Sequence, residues 1–222
     1  MAGKSKYSTY REAISNVYTK VLPKGEQYVE KVLNFRQQYK NAMADAENKA
    51  ANAATQMESA REAYQDLQQQ INQASQEKDG GKKVEELQSQ AYRVQRLFNE
   101  ERNNYNAAIQ AQAKAKEGLQ QTNERAKQAQ KDLDRVVQYC NNIIQGVQQE
   151  MRNRQAAKQQ FDRAAQTKFG RSSFQQSLEL DEETKRYGNL IHACNECIRS
   201  AQNLISALDE GEEREREKVL TR

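Results

Sequence analysis

The single histidine and the three cysteines are the residues most suited to soft-metal or nucleophilic chemistry. His192, Cys194 and Cys197 lie close in sequence, and Cys140 would supply a fourth ligand for a tetrahedral zinc site. Yet His192 stands two positions before Cys194, about 200° round a helix, so their side chains diverge. Cys194 falls on an apolar seam, and the cysteines read as small buried thiols. No glycine-rich phosphate loop or nucleophile elbow is present. Glu182 and Glu183 are consecutive and do not face each other on a helix. These residues point to no enzyme, no metal and no cofactor.

The chemistry that the sequence does offer is electrostatic. The net charge of +4 is the sum of unlike segments. Residues 1–40 carry eight basic and three acidic side chains, Lys4, Lys6 and Arg11 among the basic ones. Residues 150–171 carry six basic side chains, Arg152, Arg154, Lys158, Arg163, Lys168 and Arg171, against Glu150 and Asp162. Residues 41–80 and 172–222 each sum to -4, although Lys185 and Arg186 sit near the start of the latter. The basic excess is modest for a nucleic-acid binder, and the tyrosines mostly occupy seam positions, so no nucleic-acid partner is expected.

The elements that must position these charges are helices. One proline, nine glycines and no tryptophan in 222 residues are the makeup of long helices rather than of sheets. A mean hydropathy of -1.12 leaves no run of about 18 apolar residues to span a bilayer. The first residues show neither a secretory signal nor a myristoylation pattern, which together with unpaired cysteines predicts a cytoplasmic protein.

Steps of three and four through Tyr28, Val32, Phe35, Tyr39, Met43, Ala46, Ala50, Ala53, Met57, Ala60, Tyr64, Leu67, Ile71 and Ala74 form a heptad seam with one stutter. This predicts a first helix over about 5–77, kinked at Pro23 and ended by Gly80 and Gly81. Nine heptads from Val84 to Val147, Tyr105 among them, predict a second helix over about 83–168, roughly 125 Å long. Ser173 and Gln176 form a capping box for a third helix over about 174–208, with Tyr187, Ile191, Cys194, Ile198, Ala201, Ile205 and Leu208 on its seam. Residues 209–222 are expected to be a charged helical or frayed tail.

The predicted fold is all-α: an elongated antiparallel three-helix bundle, residues 1–208 forming one domain. Helices of unequal length leave part of the long seam uncovered, so an antiparallel homodimer is expected. Antiparallel folding brings the start of the first helix, the end of the second and Lys185 and Arg186 to one end, predicting a basic tip.

Asn16, Val17 and Tyr18, followed by Val32, Leu33, Tyr39, Lys40 and Ala42, resemble the opening pattern of the inverse BAR family, the IRSp53 and missing-in-metastasis homology domain. The stretch from Glu182 to Ile191, reading Glu-Glu-Thr-Lys-Arg-Tyr-Gly-Asn-Leu-Ile, resembles that family's helix-three signature. Arg36 stands where the family has a glycine. The resemblance implies a homodimer that binds phosphoinositide-rich membranes through basic tips, favours negative curvature and links plasma membrane to actin regulators. By position, Arg152, Arg154, Lys158, Arg163, Lys168 and Arg171 match the family's basic segment. A crescent BAR domain and a protein-only coiled-coil scaffold are the alternatives. Gly118 and Gly146 are candidate points of curvature.

Overall fold

The computed structural model describes residues 5–77, 81–166 and 170–220, with the side chains of 170–171 and 211–220 outside the description. Every long element is a helix: α1 (Lys6–Asn16), a π turn (Val17–Val21), α2 (Leu22–Ala74), α3 (Gly81–Ala165) and α4 (Gly170–Leu220). No strand occurs among the described residues. The fold is an all-α bundle with three long helical arms.

Ser5 caps α1, its hydroxyl accepting from the Ser8 N–H at 3.3 Å. At the discontinuity expected near Pro23 the chain widens into the π turn, where the Leu22 N–H donates to the Val17 carbonyl. Pro23 follows at once, inside a continuous helical run; it has no N–H to continue the ladder, so the wider turn falls where a helical bond cannot be made. The extra residue has a consequence for packing. Buried positions step by five from Val17 to Leu22, then resume threes and fours through the half-buried Gly25 to Val29, Val32 and Arg36. One inserted residue turns the helix face by about 100°. The expected seam residues Tyr28 and Phe35 are therefore 43% and 42% exposed, with Val29 and Arg36 buried in their place.

The α2–α3 turn begins sooner than the glycines suggest, because α2 ends at Ala74 and residues 76 and 77 tighten through i→i−3 bonds to Gln73 and Ala74. At the other turn, α4 starts at Gly170, so Ser173 and Gln176 lie within the helix and do not open it. A serine that far inside finds the neighbouring N–H groups already bonded to helical carbonyls, leaving no orphan donor to cap. Helical geometry also continues through the expected tail to Leu220.

Two sets of contacts divide the chain. The first unit, Met1–Leu33 with Glu124–Arg222, packs three helices. Its core takes Ile14, Val17 and Val29 from the first arm, Leu133, Ile143 and Val147 from α3, and Leu190, Ala201 and Leu208 from α4. α1 runs antiparallel to α3: Lys6 meets Glu150, and Tyr10 lies over Gly146. The α3–α4 pair is antiparallel as well, from Ser177 on Asp162 to Gln130 on Asp209. α4 uses Leu190 and Cys197 where the heptad had Ile191 and Ile198, because a helix in a three-helix core must serve two neighbours.

The second unit, Asn34–Asn123, is an antiparallel helix pair. Alanines dominate its seam: Ala46, Ala50, Ala53 and Ala60 on α2, Ala91, Ala108 and Ala115 on α3. Near its end the Tyr39 ring lies against Gly118, and a Cβ there would overlap the ring. Arg36, only 2% exposed, donates from Nε to Asn123 Oδ1 at 2.8 Å. That bond helps offset the cost of a buried charge. Phe35, Tyr92, Leu97, Tyr105 and Ile109 remain exposed in this unit, so Tyr105 leaves the predicted seam. Small alanines bury little area each, and the larger side chains find no interior.

Candidate functional site

The predicted basic residues separate into two groups, and the acids of α4 make the division. Residues 179–183 of α4 include Glu179, Asp181, Glu182 and Glu183. Antiparallel pairing sets this run opposite Arg154 and Lys158 of α3. Arg154, with a side chain 20% exposed, donates from Nε to Glu183 at 2.8 Å and from Nη1 to Glu150 at 3.0 Å. Its Nη2 reaches the Tyr187 hydroxyl at 3.1 Å. Glu150, only 12% exposed, also accepts from Lys6 Nζ at 2.6 Å. The hydrogen bonds from Lys6 and Arg154 hold the Glu150 carboxyl below the ordinary glutamate range, and the bond to Glu150 raises Lys6. Tyr7 packs edge-on against Tyr187, ring centres 5.4 Å apart, and burial pushes the Tyr187 phenol up. These residues, with Ser5 and Arg186, line an open cleft.

Lys158 is likewise engaged. Its amine donates to Asp181 Oδ2 at 2.5 Å, and that bond raises its pKa. Lys6, Arg154 and Lys158 thus hold helices to one another. Arg186 reaches Glu182 only at 3.9 Å with both groups exposed, a pair worth little.

The second group is different. Arg11, Arg152, Arg163 and Lys185 are exposed, and no ion pair among the described residues occupies them. Arg152 and Arg163 lie eleven positions apart, about 20° apart round α3, whereas Arg154 is about 200° from Arg152. One side of α3 is therefore spent on packing, and the other presents cations to solvent. Lys4 and Lys168 lie outside the described residues; Arg171 lies in the first turn of α4, its side chain outside the description. The acidic run was visible in the sequence as charge, but only pairing registers it against Arg154 and Lys158.

The cysteines converge more than their spacing suggests. Cys140 of α3 meets both Cys194 and Cys197 of α4, all three fully buried. Burial pushes the Cys197 thiol up to about 11, and the hydrogen bond to Cys194 raises Cys140. His192 is exposed and apart from them. Among the described residues no three His, Cys, Asp or Glu side chains form a metal-binding group, and no helix is long and apolar enough to cross a membrane.

Compared with protein-family models, curated proteins and solved structures, the chain matches none.

Proposed function

We propose that this protein is a peripheral membrane-binding module of the inverse BAR kind, acting on the cytoplasmic face of an anionic, phosphoinositide-bearing membrane. The observation that carries this reading is that four of the cations singled out in the sequence, Arg11, Arg152, Arg163 and Lys185, are exposed in the three-helix unit and make no ion pair with a described residue. A Lys or Arg near an anionic leaflet contributes about 1 kcal/mol before screening, so four in one unit suffice for salt-sensitive binding. Lys4, Lys168 and Arg171 add to the same charge in sequence. Lys6, Arg154 and Lys158 support the surface by fixing the helices that bear it.

The alanine seam of the second unit, with Phe35, Tyr105 and Ile109 exposed, supports self-association, and an antiparallel homodimer would present the cations twice. Negative curvature and a link to actin regulators follow from the motif resemblance. A protein-only scaffold is the competing reading, and the capture of three predicted lipid ligands by carboxylates favours it.

Sedimentation with phosphoinositide-containing vesicles separates the two. Replacing Arg152, Arg163 and Lys185 by Glu should lower binding at least tenfold, by the energies above, with helicity unchanged. Wild-type and variant protein sedimenting alike would favour the scaffold. Electron microscopy of the vesicles then reads the sign of curvature: outward tubules would favour a crescent BAR domain.

A further inference from the structure

Beyond Glu150 the α3–α4 hairpin is thin. The first described residues of α1 meet α3 at Glu150, and between the Arg154–Tyr187 contact and the α3–α4 turn Ser177 is the one buried residue among those described. In this hairpin α4 carries two large apolar side chains in solvent, Phe174 at 59% and Leu178 at 50% exposure. They stand one turn apart on one face, and Lys185, eleven positions after Phe174, returns to that face within about 20°. Asp181 and Asp162 already have partners, Lys158 and the Ser177 hydroxyl at 2.5 Å, although both reach solvent, and the exposed Glu182, one turn after Leu178, has Arg186 at 3.9 Å. Lys185 and Arg163 have no ion pair among the described residues.

We propose that Phe174 and Leu178 insert into the interfacial region of an anionic bilayer while the hairpin cations hold the phosphates. An amphipathic helix face binds a membrane by this combination of buried apolar area and headgroup attraction. A second copy of the chain fits the pair less well, because it would bring Arg163 and Lys185 against their own counterparts. The inference rests on the membrane reading above and adds an apolar, salt-resistant component to it.

The chain has no tryptophan, so Phe174→Trp places a single tryptophan at the site, excited apart from the tyrosines at the red edge of the absorption band. With vesicles of phosphatidylcholine and phosphatidylserine, its emission should shift to the blue and be quenched by brominated acyl chains. Sedimentation is measured in parallel. Sedimentation without the shift would overturn insertion and leave membrane binding standing. No sedimentation of wild-type protein, with phosphoinositide included, would overturn both. A blue shift that follows protein concentration without vesicles would assign the pair to self-association and overturn the inference. Phe174→Ser with Leu178→Ser, both exposed and so compatible with folding, should weaken binding at high salt by roughly tenfold or more. Unchanged binding at high salt would also overturn it.

Discussion

The guanidinium of Arg154 sits 4.2 Å from the centre of the Tyr187 ring while it bonds two carboxylates on different helices. A residue that looks like a membrane ligand in the sequence is here a joint between α3 and α4, with Glu150 tying in α1 through Lys6. Arg154→Ala should destabilise the protein by about 1–3 kcal/mol, the range for charged hydrogen bonds lost with partners left partly buried. Arg152→Ala, two positions away on the solvent side, should stay within about 0.5 kcal/mol of wild type. Urea unfolding of both variants checks the pair.

Glu150 makes the same joint sensitive to acid. Its folded pKa lies below the unfolded value, so its contribution is complete above the ordinary glutamate pKa of about 4.3. That contribution fades as the pH falls through the depressed folded value. Glu150→Gln should reduce the acid dependence of thermal stability below pH 5, read by melting curves from about pH 3 to 7.

Gly118 was a candidate point of curvature, and the structure makes it a seat for an aromatic ring. A Cβ there would overlap Cε1, Cζ and Cδ1 of Tyr39. Gly118→Ala should cost about 1–3 kcal/mol through overpacking. In a Tyr39→Ala background the same substitution should instead stabilise by up to about 1 kcal/mol, the ordinary helix preference for alanine. A double-mutant cycle by chemical unfolding measures the coupling.

The buried cysteines should be inert in the folded protein. With a thiol pKa of about 11, Cys197 is about 0.1% thiolate at pH 8. Cys140 and Cys194 share its full burial. Maleimide labelling followed by mass spectrometry should find all three unmodified until denaturant is added.

The sequence by itself determined the class of structure, because periodicity is local. Steps of three and four through Leu87, Ala91, Ala108, Ala115, Leu133 and Val147 can bury only one face of a helix, and each of these is buried. Tertiary structure decided the rest. One extra residue in the π turn moved the seam from Tyr28 and Phe35 to Val29 and Arg36; Pro23 marked the place of the break, but not the size of the rotation. The fate of each basic side chain depended on what the antiparallel neighbour set opposite it. Charge is a property of composition, but an ion pair is a property of register, and Lys6 and Glu150 are 144 residues apart. For that reason the cations that hold the helices together and those left to meet a partner became distinguishable only once the helices were packed.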